Sequence, residues 1–212
     1  VNMTGSAVDF EHGNYADAII QAWYPGAMGG KAIADLIFGA YSPSGKLPVT
    51  FYSNANHLPA FEDYRMENRT YKFFQEQPLY GYGLSYTTFS YSDLNCRDTI
   101  ACGESLSLSV SVRNTGKTAS DEVVELYLRD DEASVRVPVH KLVGCKRVFL
   151  QPGESRQVDF TIDAGQFCII DEEGEFRYEA GSYTIYAGGS QPDSYSRKLT
   201  EQQVISTRIT ML

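Results

Sequence analysis

Between Ser105 and Val112 serine alternates strictly with leucine or valine. Leu106, Leu108, Val110 and Val112 fall on one face of an extended chain, and Ser105, Ser107, Ser109 and Ser111 on the other. A two-residue period suits a strand with one face buried and one in water, and no helix can use it. The following residues keep that rhythm. Asn114-Thr115-Gly116-Lys117 makes a turn, and Val124, Leu126 and Leu128 point inward from a strand over 121–129. Strands over 137–139 and 142–150 follow, then the turn Gln151-Pro152-Gly153-Glu154 and the alternating Val158, Phe160 and Ile162. A short strand over 167–170 turns at Glu173-Gly174 into Phe176, and Ala180-Gly181 leads into Tyr183, Ile185 and Ala187. About seven short strands so spaced predict an antiparallel β-sandwich. The chain has no Cys…Trp…Cys pattern, which excludes an antibody-type domain. The tail 199–212 carries Val204, Ile205 and Ile209, and adds a final strand or reaches toward a neighbour.

The chain before this region reads differently, and residues 75–89 are the seam. Gly81 and Gly83 bracket Tyr82, allowing a sharp turn, and from Leu84 to Tyr91 aromatic and β-branched residues predict a strand entering a new domain. Upstream, residues 1–12 give a short apolar start with Met3, Val8 and Phe10. Residues 17–24 form a short apolar run closed by Pro25-Gly26, consistent with a buried strand. After Gly29-Gly30, Ile33, Leu36 and Ile37 fall at i, i+3 and i+4, which predicts a helix with one buried stripe, stopped by Gly39. Tyr41-Ser42-Pro43-Ser44-Gly45-Lys46 is a turn, and residues 47–52 an edge strand or a strand start because Pro48 cannot donate. Residues 53–78 are polar and aromatic without periodicity, the signature of a long loop that is functional or packed over another surface.

Several functions are disfavoured. With 27 acidic and 18 basic residues the net charge is −9, a poor match to nucleic acid or an anionic membrane. No apolar run approaches the ~20 residues of a membrane span. The glycines at 29–30 lack the spacing and the following Lys-Ser/Thr of a phosphate loop, so tight packing explains them better. Cys96, Cys102, Cys145 and Cys168 form no metal pattern and read as free thiols, although Cys96 and Cys102 could close a short loop. His12, His57 and His140 are scattered, and no cofactor or metal is implied. Asn2-Met3-Thr4 and Asn68-Arg69-Thr70 match the glycosylation acceptor pattern. The chain starts at Val1 with no basic or apolar leader, as expected of a piece of a longer polypeptide.

Several blocks together resemble a known family. Trp23-Tyr24-Pro25-Gly26-Ala27-Met28-Gly29-Gly30, the helix over 32–39, and Pro43-Ser44-Gly45-Lys46-Leu47-Pro48-Val49-Thr50-Phe51 resemble consecutive blocks of glycoside hydrolase family 3. So do Tyr82-Gly83-Leu84-Ser85-Tyr86-Thr87 and Val112-Arg113-Asn114-Thr115-Gly116. Lys141-Leu142-Val143-Gly144 and Gln151-Pro152-Gly153-Glu154 resemble the family's fibronectin type III-like domain, and Asn68-Arg69-Thr70-Tyr71-Lys72-Phe73-Phe74 resembles its β-xylosidase branch. One departure is the seam, where family members often carry a longer proline–phenylalanine stretch before the glycines.

The resemblance implies a mainly β chain: an immunoglobulin-like, fibronectin type III-like antiparallel β-sandwich preceded by the end of an α/β sandwich domain. The expected division is 1–52 for the α/β remnant, 53–83 for a connecting loop, 84–198 for the β-sandwich and 199–212 for the tail. It further implies a retaining β-glycosidase, a β-xylosidase or β-glucosidase, whose aspartate nucleophile and glutamate acid/base lie upstream. No residue here matches either motif, so no catalytic residue is carried over. Asp63, Glu67 and Asp121 read as solvated or turn residues. The implied partners are the upstream barrel and α/β sandwich and the parent enzyme's oligosaccharide substrate.

Within the loop, Tyr64, Arg65, Arg69 and Tyr71 are the substrate-proximal candidates, able to stack on or hydrogen-bond a glycan, or else to fix the linker over the domain boundary. Trp23 could be a sugar platform but fits a structural role better. A carbohydrate-binding or interaction module is the alternative, and would need exposed tyrosines in a row; Tyr127, Tyr183 and Tyr186 do not promise one. If the chain is part of a larger enzyme, residues 1–52 should expose an apolar patch.

Overall fold

A computed structural model describes residues 1–8 and 16–212. Phe10 and His12 lie outside the described residues. The strands run β1 (Phe89–Cys96), β2 (Thr99–Ile100), β3 (Leu106–Asn114), β4 (Ser120–Asp130), β5 (Lys141–Leu150), β6 (Ser155–Ile162), β7 (Ile169–Ile170), β8 (Phe176–Arg177), β9 (Gly181–Gly188) and β10 (Ile205–Met211). The helices are α1 (Gly29–Ile37), α2 (Thr70–Phe73) and α3 (Ser194–Thr200).

The fold is mainly β. One sheet has the order β1-β3-β6, the other β2-β10-β9-β4-β5, and β7 and β8 form a small hairpin. All pairings are antiparallel except β2 with β10. The serine-alternating stretch is β3, the middle of the smaller sheet. Leu106, Val110 and Val112 are fully buried, facing Val124, Leu126 and Ile185 of the other sheet in one continuous core. The tail supplies β10, which registers residue by residue with β9 from Ile205 opposite Ala187 to Met211 opposite Gly181.

Strand β4 departs from simple alternation. Val124, Leu126 and Leu128 enter the core, yet Glu125 and Tyr127 on the opposite face are buried as well. The strand is central in its sheet, between β9 and β5, and residues 41–83 cover its outer face.

Several expected elements come out differently. Residues 17–24 form no strand: Asn2 bridges Gln21 through two backbone hydrogen bonds, and Trp23 then takes a left-handed φ of 53° that ends extension. Residues 47–52 form only the bridge Phe51–Leu79 plus bonds from Leu47 to Tyr82 and from Gly81 to Leu47. Pro48 lacks a donor there, and the left-handed Gly81 bends the partner segment. The strand expected from Leu84 begins only at Phe89, because the Tyr86 N–H is taken by the Ser42 hydroxyl instead of a ladder. Residues 137–139 are not a strand; the Val139 N–H donates to Lys72 O, tying the segment to α2. The loop 53–78 contains a helical turn over Ala55–His57 as well as α2. Helix α1 does end at Gly39 with φ 73°, but its stripe is not buried: Ile37 is 55% exposed. The four cysteines are free thiols.

Leu126 is fully enclosed between the sheets. Leu126→Ala should destabilise the chain by about 3 kcal/mol, read as a lower urea midpoint with unchanged slope.

Candidate functional site

The seam is where the sequence motifs converge. The turn Ser42–Lys46 inserts between the 83–87 segment and the start of β4. Ser42, Ser85 and Ser120 form a triangle of hydroxyls with oxygens 3.0 to 3.2 Å apart. Tyr86 donates its hydroxyl at 2.7 Å to Leu36 O in the last turn of α1, a carbonyl that also accepts from the Gly39 N–H. Arg147 of β5 donates to Ser44 Oγ at 2.5 Å. A fully buried Asn114 holds the next corner: it accepts from Thr87 Oγ1 at 2.6 Å and donates to Thr118 O and Leu150 O. A side chain at Gly116 would collide with Thr87. These contacts explain why the serines, the Asn-Thr-Gly turn and the aromatic-glycine stretch occur in one chain.

Deeper in the seam lies a polar cluster with no water-facing outlet. Glu122 and Glu125 are 2% and 3% exposed. Tyr91 donates to Glu122 Oε1 at 2.6 Å, and Tyr127 to Glu125 Oε2 at 2.8 Å. Lys46, itself buried, places Nζ 3.6 Å from Glu122 Oε2 and 3.4 Å from Gly83 O. Burial pushes the Glu125 carboxyl up to about 7 against the pull of the Tyr127 hydroxyl and Lys46. Burial also raises Glu122, opposed chiefly by Lys46.

Around this cluster Tyr71 stacks on Tyr80 at 3.8 Å between ring centroids and lies edge-on to Tyr127. Its hydroxyl accepts from the Leu142 N–H at 3.0 Å. His140 packs edge-on to Tyr127 and sits 3.4 Å from Gln191, and burial pushes its pKa down. Gln191 is fully buried and donates to Pro78 O at 2.6 Å, pinning the linker to the sandwich.

The four loop candidates separate. Tyr71 is a seam residue with no surface to offer. Arg69 braces the loop, donating to Asp63 O and Ala60 O at 2.8 and 2.9 Å. Tyr64, 84% exposed, and Arg65 project into solvent, with Arg65 forked onto Asp63 and holding that carboxyl down at about 2. Exposed Phe61 lies on the same loop. The loop's neck is closed by Thr70 N–H to Tyr52 OH and Tyr71 N–H to Thr50 Oγ1, both 2.9 Å. Trp23 packs edge-on to buried Phe51 at 6.1 Å, a structural use of its ring. Tyr127 and Tyr183 are buried, so with Tyr186 they make no exposed row. Asn2 spends its amide on Gln21, while Asn68 is exposed.

The sequence alone did not single out Glu122, Glu125, Lys46 or Gln191. The available signal was the unbroken Val123-Val124-Glu125-Leu126-Tyr127-Leu128 run. A strand apolar at both parities is buried on both faces, and so is an acid inside it. This buried pair of carboxyls invites comparison with a glycosidase acid and nucleophile, but burial raises both instead of driving them apart. Its position forbids that role: a mere methyl at Gly81 would strike Glu125 and Tyr127, so no sugar ring fits. Because Gly81 also has φ 62°, Gly81→Ala should cost upward of ~1 kcal/mol and unseat the linker, read as a lower urea midpoint in Trp23 fluorescence.

Residues 1–86 match the glycosyl hydrolase family 3 C-terminal domain, and residues 122–191 the fibronectin type III-like domain. A xylan 1,4-beta-xylosidase of Xylanibacter ruminicola is 37% identical over 203 residues, covering 94% of this chain and 23% of that protein. A periplasmic beta-glucosidase of Salmonella typhimurium is 37% identical over 188 residues, covering 82% and 25%. The crystal structure of a beta-glucosidase from Listeria innocua in complex with isofagomine matches with a TM-score of 0.81 at 26% identity, over 99% of this chain and 30% of that one. The chain spans about a quarter of the length of the curated relatives it matches. It belongs to glycoside hydrolase family 3, in which it corresponds to the C-terminal domain region joined to a fibronectin type III-like domain.

Proposed function

We propose that this chain is the non-catalytic part of a retaining β-glycosidase acting on terminal β-linked xylose or glucose of plant-type oligosaccharides, and that it braces the catalytic domains. The observation that carries this reading is the apolar surface of residues 1–52. Tyr24, Met28, Ile37 and Phe38 are 81%, 68%, 55% and 86% exposed, on and beside a helix whose remaining side chains are half-buried at best. So much exposed apolar side chain on one short segment marks a surface made for a partner, and the relatives offer catalytic domains as that partner. Behind this surface the seam anchors the segment to the sandwich, so whatever docks there is held by the whole core.

The retaining reaction needs two carboxyl groups about 5 Å apart across the anomeric carbon, reachable by the sugar. Glu122 and Glu125 are enclosed, and the carboxylates of the 53–78 loop are solvated or paired with arginine. Tyr64 and Arg65 are the loop residues free to approach a glycan from the side of this chain, and Arg69 holds the loop in shape for them.

The chain alone should release no nitrophenol from p-nitrophenyl β-xyloside or β-glucoside above buffer, even at high protein concentration. Turnover that co-purifies with the chain and disappears on Asp63→Asn or Glu67→Gln would overturn the non-catalytic assignment. The bracing surface is tested separately. The chain should self-associate in sedimentation at tens of micromolar, and Ile37→Ser with Phe38→Ser should make it monomeric.

A further inference from the structure

The seam holds more buried negative charge than positive. Glu122 and Glu125 are both more than nine-tenths buried, yet among the described residues Lys46 is the one cation brought to them. The other groups facing Glu125 supply no positive charge. They are Tyr127 on β4, Tyr71 from α2, Tyr80 from the linker, Tyr91 from β1 and Cys145 opposite on β5. His140, edge-on to Tyr127, is held toward its neutral form by burial. A second unpaired carboxylate in this setting is strongly disfavoured unless it takes up a proton.

We propose that Lys46, Glu122 and Glu125 form a proton-dependent clasp, closed over the sandwich when the pair of carboxylates retains one proton and loosened when that proton leaves. The closed form is then Lys46⁺, Glu122⁻ and protonated Glu125, a neutral set. Tyr127 donates to Glu125, and Gly81 lies against both, so charge arriving on Glu125 is felt directly where the linker backbone touches the sheet. Lys46 joins the 41–46 turn to the linker at Gly83 and to β4 at Glu122, so one side chain couples three segments. The clasp is independent of the glycosidase reading.

The sign follows from proton linkage. Glu125 titrates at about 7 when docked, above the ordinary value of 4.5. The docked form therefore binds more protons between those values, and docking is favoured at acid pH and lost as pH rises through about 7.

Trp23 is the single tryptophan, and its ring meets Phe51, which bridges Leu79 in the linker. Its fluorescence therefore reports the seam. In urea titrations of the chain, the undocked population should rise by about two orders of magnitude between about pH 5 and about pH 8.5. Glu125→Gln should remove most of this dependence while keeping the acid-side stability. Glu122→Gln should move the transition toward the ordinary carboxylate range, because Glu125 then has Lys46 to itself. A flat wild-type profile, or a Glu125→Gln profile parallel to wild type, would overturn the clasp. Should Glu125→Gln fail to fold, infrared spectroscopy of the wild-type chain decides: a protonated-carboxyl band persisting above about pH 6 supports it, and its absence at that pH refutes it.

Discussion

The structure depends on burying one lysine against two glutamates. Lys46 reaches between the linker and the β-sandwich to within 3.6 Å of Glu122, with Glu125 close behind. A buried ion pair is weak evidence for stability, because desolvation offsets most of the attraction, but it discriminates strongly between arrangements. Moving the 41–46 turn away would leave a buried acid without its counter-charge. Apolar contacts alone would tolerate sliding; these polar contacts do not, which fixes the position of the N-terminal segment on the sheet.

The glycines and hydroxyls of the seam serve the same end. Gly81, Gly83 and Gly116 stand where any side chain would strike Glu125, Gly45 or Thr87, so backbone can approach backbone. The serines at 42, 85 and 120 satisfy one another where three segments meet. Asn114 and Gln191, both fully buried, hold the segment at two more points, Asn114 by accepting from the Thr87 hydroxyl and Gln191 by donating to Pro78 O. The outer face of β4 is thereby converted from a solvent surface into a second core, polar at its centre and aromatic at its rim.

The sandwich is tied at many points to a segment that carries an exposed apolar helix. The buried glutamates are closed off where Gly81 and Tyr127 lie against Glu125. The rim of the 53–78 loop is exposed, held in shape by Arg69 and presenting Tyr64 and Arg65 outward.

The sandwich was legible in the sequence because strand alternation is local: the serine and aliphatic positions of β3 each report their own face. The end of α1 at Gly39 was legible for the same reason, since one residue's conformational freedom decides it. The short strands expected at 17–24 and 47–52 were not realised, because a strand needs a partner whose register lies elsewhere in the chain. The roles of Tyr71, Glu122, Glu125 and Lys46 were beyond local reading. Whether an acid on β4 meets water or a lysine depends on which segment folds against it, and contacts between residues nearly eighty positions apart in sequence settle it. Local periodicity determined which residues turn inward; only the tertiary structure decided that the outer face of β4 is also an inside, because desolvation acts on a side chain through whatever covers it.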